Sequence, residues 1–390
     1  MHTLTSGASP DSRRGRAVLM LCHFVGMVDL VALPVWVGVL VQHYGFDLEH
    51  AGMTVTAFLL GAVAASLVAA PLFNRLPRGA CVVAGYACAA LAFGAASQVS
   101  GFGILALLHF AAGVAAGTAL SITHGTIGRS SNPHKLFAIV GTALGVGAVV
   151  FYAAVPPAVA SHGGSLLFKV FAGLMAAASL AALGFPRVAS RSEAHAAAGP
   201  LPRAAWFAIF GVSCMALNQA LTFSMLDRIG IMRGFSQEQV NQVLVVCGLV
   251  NLLPAALAGF LEKRLNPVRV ALVAAPLQAA LAVAITLATD YAQYALAASV
   301  YAAVLIFMHT FLFGLIARLD ASGRALASTP AMMMTGSAIG PALAGAVAMR
   351  FGFGGQALLA LVVGAAASLW FLLVARRTRS ALPVAMRAAD

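Results

Sequence analysis

The sequence predicts an all-α membrane protein of twelve transmembrane helices, arranged as two six-helix bundles related by a parallel repeat. Three observations predict it. First, 61% of the 390 residues are hydrophobic and only 9% are charged, with a mean hydropathy of +0.95. A soluble domain carries about 25% charged residues, so the charge here is too sparse to cover a water-facing surface. Second, the apolar residues fall into twelve runs, each about as long as a bilayer span. Third, the chain matches itself at an offset of 189 residues.

The first half holds runs at 17–42, 51–73, 79–99, 101–128, 136–159 and 165–186. The second holds runs at 204–228, 237–261, 268–288, 291–317, 326–350 and 354–375. Gly and Pro occur inside them, as transmembrane helices tolerate. A membrane barrel would instead show segments of about 10 residues alternating apolar and polar. The polar N-terminal stretch 1–16 ends in Arg13, Arg14 and Arg16, with no small-residue cleavage site closing a short apolar run after it. A removed signal peptide is therefore not expected. The five cysteines all lie in apolar runs without metal spacing, and read as small buried hydrophobes with no disulfide.

Orientation follows from the basic residues. With the N-terminus inside, all 23 Lys and Arg fall on the cytoplasmic side except Lys169, Arg228, Arg233 and Arg350. Such an excess places both termini in the cytoplasm. The net charge of +12 thus reflects topology, and no nucleic-acid partner is expected.

The repeat pairs basic with basic: Arg14 with Arg203, Arg75 with Arg264, Arg129 with Arg318, Lys135 with Arg324, and Arg187 with Arg376. GFDLEH from Gly45 meets GFSQEQ from Gly234. In these turns Asp47 and Ser236 are good helix caps, with His50 and Gln239 three residues on. The boundary is 187–203, a polar, Pro-containing linker. The domains are therefore a tail at 1–16, a bundle at 17–186, the linker, a bundle at 204–375 and a tail at 376–390.

Two six-helix halves in parallel repeat are the architecture of the major facilitator superfamily. The sequence resembles that superfamily, as a 12-helix bacterial-type member, over nearly its whole length. Between the second and third helices the superfamily has G-x-L-x-D-R-x-G-R. Here APLFNRLPR keeps Leu72, Arg75 and Arg78, while Asn74 stands at the Asp position. In the second half GFLEKRL keeps Gly259, Leu261 and Arg264, with Lys263 at the Asp position. The candidate gating residues are thus Asn74, Arg75, Arg78, Lys263 and Arg264, without the acidic half of the family's inner-gate network. In the fourth helix HFAAGVAAG puts His109 at a family Arg position and keeps Gly113 and Gly117. The helix-5 drug-antiporter signature G-x-x-x-G-P lacks its Pro here, whereas GSAIGP occurs in helix 11, with Gly336 and Gly340. These four glycines are read as helix-packing positions.

The resemblance implies secondary active transport of a small solute by alternating access, with the first and fourth helices of each half lining a central cavity. Asp29, in the middle of the first helix, is then the proton-coupling candidate. A carboxylate at the bilayer centre costs at least about 2.5–3.5 kcal/mol on insertion scales, so its presence there is a functional hypothesis. The alternative is a structural Asp bonded to helix backbone or to His23. The repeat places Asn218 opposite Asp29. Asn218, Gln219, His309 and His109 are the substrate-binding candidates, each with a helix–helix hydrogen bond as its alternative. Asp227 and Arg228, at the end of the seventh run, read as solvated. His124, one turn before Arg129, reads as interfacial. Trp36, Tyr152 and Tyr301 read equally as packing, belt or solute-platform residues. Met332, Met333 and Met334 spread around a helix and form no single metal site.

No G-x-S-x-G, HExxH or Walker A occurs, so neither an enzyme nor an ATP-driven pump is indicated. The expected partners are a small organic solute, protons and the lipid bilayer, with no cofactor and no metal. The chain is expected as a monomer in a bacterial inner membrane. Competing readings are an efflux pump for amphipathic compounds and a receptor or scaffold that has lost transport.

Overall fold

The computed structural model describes residues 8–188, 201–319 and 329–380. Linker residues 189–200, Arg324 and most of the C-terminal tail lie outside the described residues. Chain contacts divide the molecule into two units, Met1–Glu193 and Ala194–Asp390.

In the first unit the elements are α1 (Arg13–Gly26), α2 (Val28–Tyr44), α3 (Leu48–Leu72), α4 (Arg78–Ala96), α5 (Phe102–Ile127), α6 (Pro133–His162) and α7 (Ser165–Ala182). The second unit holds α8 (Arg203–Ser224), α9 (Leu226–Met232), α10 (Gln237–Val250), α11 (Pro254–Leu261), α12 (Pro267–Thr286), α13 (Tyr291–Leu319) and α14 (Thr329–Ser380). Among the described residues there is no strand.

Among the described residues eleven helical stretches are long and apolar enough to cross a membrane. The last, Met333–Thr378, runs 46 residues, about 69 Å at 1.5 Å per residue and twice a bilayer core. It turns at Gly352, whose φ of 62° and ψ of −172° are not helical, so it makes two passes. The twelve apolar runs therefore appear as twelve passes. Large apolar side chains such as Leu91, Leu107, Leu180, Leu183 and Leu296 face outward. A water-facing surface does not carry apolar exposure on that scale, so lipid covers it.

The repeat is written in the backbone. Four glycines have positive φ: Gly45 (68°) and Gly234 (87°), and Gly163 (86°) and Gly352 (62°). Each pair is 189 residues apart, and only glycine takes such φ values without strain. Caps repeat as well. The Asp47 carboxylate accepts the His50 backbone N–H at 2.7 Å and its ring Nδ1 at 2.9 Å. The backbone bond holds the Asp47 carboxyl below its usual range. At the equivalent position Ser236 forms a capping box with Gln239.

Three expected single helices are broken instead. The first run divides at Met27, the seventh at Met225, and the eighth between Val250 and Pro254. Pro254 explains the last, because it lacks the N–H that would continue the ladder. Near the other two, tyrosines on neighbouring helices bond backbone carbonyls. Tyr86 on α4 donates its hydroxyl to the Cys22 carbonyl, and Tyr294 on α13 donates to the Leu226 carbonyl at 2.9 Å. In each case the residue four further on is glycine, Gly26 or Gly230. A Cβ there would stand 2.7 Å or 2.9 Å from the tyrosine oxygen.

The core of the first unit is aromatic. Trp36, 1% exposed, meets Phe171 at 4.8 Å, Phe58 at 5.3 Å and Phe93 at 5.8 Å between ring centroids. Aliphatic and thioether side chains dominate the second unit's core, with Val212, Met215, Met308, Leu312 and Ile316 around Phe371. All five cysteines are free thiols, and Cys88 is exposed on an outward face, contrary to the expectation that all would be buried.

Candidate functional site

The break at Met27 determines what surrounds Asp29. Met27 has φ −108° and ψ 10°, and its N–H is shared between the carbonyls of His23 (3.0 Å) and Phe24 (3.3 Å). Asp29 then falls in the first turn of α2. A helix start favours negative charge through the field of its first-turn N–H groups, although the Leu30 N–H is itself given to the Met27 carbonyl at 3.2 Å. Oδ1 of Asp29 is buried without any partner, and the residue is only 4% exposed. Further along, Pro34 removes another helical donor, and the Tyr152 hydroxyl binds the Val31 carbonyl at 2.6 Å. Asp29 thus sits in a stretch of loosened backbone with half of its hydrogen-bonding capacity open.

His23 does not bond Asp29. Its Nδ1 lies 3.0 Å from Nε2 of His124, across α1 and α5, with ring centroids 5.1 Å apart. One hydrogen bond joins the two imidazoles, so one ring donates and the other accepts. His124 is therefore half of a helix–helix pair and does not sit free at the interface.

In the second unit the groups near Asn218 are neutral. The Asn218 amide donates to the Ala360 carbonyl at 3.3 Å, while its Oδ1 has no partner. Gln356 donates to the Leu221 carbonyl at 3.0 Å, and Gln278 donates to Gln219 Oε1 at 3.1 Å. Gln356 and Gln278 are fully buried, and each keeps an unpartnered oxygen. Tyr301 donates to the Asn218 carbonyl at 2.7 Å. The arrangement is a buried carboxamide network centred on α8, with more acceptors than donors to meet them. Gln278 and Gln356 escape a sequence reading, because a lone Gln in an apolar run carries no spacing signal.

His109 lies apart from these groups. It is fully buried, with Nδ1 donating to the Leu105 carbonyl at 2.6 Å and Nε2 accepting the Trp36 indole N–H at 3.2 Å. Rings of Phe93 and Phe168 pack on it at 5.6 Å and 5.0 Å. Both nitrogens are occupied and no edge is open to a solute. His309 bonds its own helix at the Leu305 carbonyl, 2.8 Å away, and is half-buried beside Phe313. Trp36, Tyr152 and Tyr301 are all interior packing residues.

At the gating loop of the first unit Asn74 accepts from Arg129 at 3.2 Å. Arg78 donates to the Val188 carbonyl at 2.6 Å. The guanidinium carbons of Arg78 and Arg129 lie 5.1 Å and 5.6 Å from the centre of the Phe73 ring, within cation–π range. Arg75 is exposed. In the second unit Lys263 and Arg264 are exposed, with Arg264 over the Phe260 ring at 5.4 Å. The glycines mark close helix contacts. A Cβ at Gly113 would run into the Phe58 carbonyl, and one at Gly117 would lie 2.5 Å from the Ala62 Cα. Gly336 and Gly340 face α8 at Ser213 and Ala220 in the same way.

One expectation is overturned. Asp227 is not solvated: it is 4% exposed, with Oδ1 accepting from Gln237 at 2.8 Å and Oδ2 unpartnered. The Nε and Nη1 atoms of Arg228 are buried and unpartnered too. Position near the end of an apolar run suggested solvent, but packing of α9 under α10 and α13 excludes it.

Comparison with known proteins follows this geometry. The family model described as Major Facilitator Superfamily matches residues 19–320. A bacterial homolog of the human lysosomal transporter Spinster, in an inward-facing and occupied conformation, superposes with a TM-score of 0.74. It is 14% identical and covers 95% of this chain and 98% of its own. A point mutant of the nucleoside transporter NupG superposes with a TM-score of 0.70, at 14% identity over 93% of this chain and 99% of its own. No curated protein matches the chain in sequence.

Proposed function

Given that the chain belongs to the major facilitator superfamily, we propose that this multi-pass membrane transporter moves a small organic solute by proton-coupled alternating access, with Asp29 carrying the proton. The observation that carries the proposal is the state of Asp29: a buried carboxylate at a helix break, with one oxygen unpartnered and no cation in ion-pair contact. A buried charge without a partner is costly, and taking up a proton relieves it. The carboxylate accepts hydrogen bonds when charged and donates one when protonated, so proton loading changes the bonding of the broken segment. The carboxamides around Asn218 and Gln219 supply neutral donors and acceptors, which suits them to orienting a polar solute rather than holding charge. The excess of basic residues in one set of loops supports cytoplasmic termini.

The test starts from purified protein. A thermal-shift screen of small organic compounds finds a solute that stabilises it, since ligand binding to the native state raises the melting temperature. Proteoliposomes then receive that solute and an imposed pH gradient. One pH unit is worth about 1.4 kcal/mol, so one proton per cycle supports about tenfold accumulation at equilibrium. Asp29→Asn should abolish accumulation and retain solute exchange, which needs no net proton movement. Uphill transport by Asp29→Asn with an unchanged pH profile would make the carboxylate structural.

A further inference from the structure

We propose that Asp227 is a second proton-binding carboxylate of this transporter, built on the same local device as Asp29. The inference rests on the proton-coupled reading above. It begins from a motif that the 189-residue repeat does not generate. Met27-Val28-Asp29 and Met225-Leu226-Asp227 both have the form Met-x-Asp, but they are 198 residues apart. The repeat mate of Asp29 is Asn218, nine residues before Asp227, which is about 13 Å along a helix axis.

The two sites share their construction in detail. Each Met is the hinge of a broken first helix, with φ −108° and ψ 10° at Met27, and φ −93° and ψ 0° at Met225. Each Asp lies in the turn that follows, and each is 4% exposed. Near each break a tyrosine hydroxyl takes a backbone carbonyl, that of Cys22 five residues before Met27 and that of Leu226 one residue after Met225, with a glycine four residues on from the carbonyl. At both sites one carboxylate oxygen is buried without a partner, Oδ1 of Asp29 and Oδ2 of Asp227. Neither carboxylate is in an ion pair.

The groups around Asp227 favour a proton over a fixed ion. Arg228 is adjacent in sequence, but successive helical residues point about 100° apart, and its own Nε and Nη1 remain unpartnered. Gln237 on α10 gives the carboxylate a single neutral hydrogen bond, and is itself bonded to Asn241 at 3.2 Å. From α13 the titratable group is Tyr294, with Tyr291 and Cys247 of α10 in its field. Arg233, one turn on, donates to the Thr286 carbonyl. The charge of Arg228 acts on Asp227 without forming an ion pair with it, so a proton completes the neutralisation of the carboxylate. Two carboxylates at different depths make coupling a two-site process.

Infrared difference spectroscopy of the purified protein in lipid nanodiscs, across a pH step, tests this without any solute. A buried carboxyl that gains a proton gains a carboxylic C=O stretch. The wild type should show two such bands. Asp227→Asn should lose one and keep the other, and Asp29→Asn should do the reverse. Gln237→Leu should retain both and move only the Asp227 band upward in frequency, because that carbonyl no longer accepts an N–H. If Asp227→Asn misfolds, Asp227→Glu supplies the assignment by displacing the band. An Asp227→Asn spectrum identical to wild type overturns this proposal and leaves Asp29 standing. Loss of a band in Asp227→Asn, with none lost in Asp29→Asn, supports Asp227 and overturns the Asp29 assignment.

Discussion

Replacing Gly113 with alanine tests the packing that holds the first unit together. The seam between α3 and α5 is built on Gly61, Gly113 and Gly117, each with its Cα against the partner's backbone. A Cβ at Gly113 would overlap the Phe58 carbonyl oxygen and stand 2.8 Å from its carbon and 3.0 Å from its Cα. Those atoms are backbone, so no side-chain rotation relieves the clash, and α5 must withdraw from α3. Overpacking of this kind costs about 1–3 kcal/mol, against roughly 0.5–1 kcal/mol gained by replacing glycine in a helix. Gly141 on α6 is the control, because nothing lies within 4 Å of its added Cβ. Alanine there keeps only the helical gain, about 0.5–1 kcal/mol. The two variants should therefore move the melting temperature in opposite directions. In a unit of this size 1 kcal/mol corresponds to about 2–4 °C. Thermal unfolding of the solubilised protein should show Gly113→Ala lower by a few degrees and Gly141→Ala higher by about 1–4 °C. A shift of the same sign in both would refute the close approach of α3 and α5.

The remaining predictions address polar contacts. Asn74→Asp places a carboxylate 3.2 Å from the Arg129 guanidinium in place of an amide, and a charged hydrogen bond is roughly twice as strong as a neutral one. It should raise the melting temperature and slow transport, and an unchanged rate would show that this contact persists throughout the cycle. His124→Phe leaves the buried His23 Nδ1 without its partner and should cost about 1–3 kcal/mol in unfolding measurements, whereas His124→Gln should cost less. Asp47 is held below the usual carboxyl range by the His50 backbone N–H, so its contribution is complete above that range and is lost as pH falls through the depressed value. The gap in melting temperature between wild type and Asp47→Ala should accordingly narrow on acidification, and should shrink in high salt because the site is exposed.

Much of the fold is legible in the sequence, and the reason is physical. A bilayer demands long apolar runs, so composition alone marks the spans, and the Gly45 and Gly234 turns are visible because only glycine serves there. The breaks are another matter. Pro254 announces the one in the eighth run, but Met27 and Met225 carry no local signal. The tyrosines that bond the backbone beside them, Tyr86 and Tyr294, lie on helices distant in sequence. Burial of Asp227 is hidden for the same reason, since the residues that cover it come from α10 and α13. His109 shows the reverse. A motif position suggested a polar role, and the aromatic rings packed around it account for the residue without one.

The breaks follow the carboxylates and not the repeat, and this bears on how the two units differ. Aligned by the repeat, Asn218 occupies the place of Asp29, yet α8 runs unbroken through it. The Asn218 side-chain NH2 is engaged by Ala360 and its backbone carbonyl by Tyr301, while its Oδ1 has no partner. An amide offers the same donors and acceptor at any pH, so an intact helix suits it. A carboxylate alternates between accepting and donating, and its surroundings must accommodate both states. Continuous helix offers little for this, because its backbone groups are already committed to one another. A break frees some of them. At Met27 the ladder is already strained, its N–H divided between the His23 and Phe24 carbonyls and its own carbonyl taken by the Leu30 N–H at 3.2 Å. Protonating Asp29 removes a negative charge from the field of that first turn, at the point where the helix is least fixed. Bending of the first helix about Met27 is then the motion most directly tied to proton loading, and the protection of the Val28 to Leu30 amides against hydrogen exchange, relative to their intrinsic rates, should fall at low pH. In Asp29→Asn that exchange should no longer depend on pH beyond its intrinsic chemistry, and a pH response equal to that of the wild type would separate the break from the carboxylate.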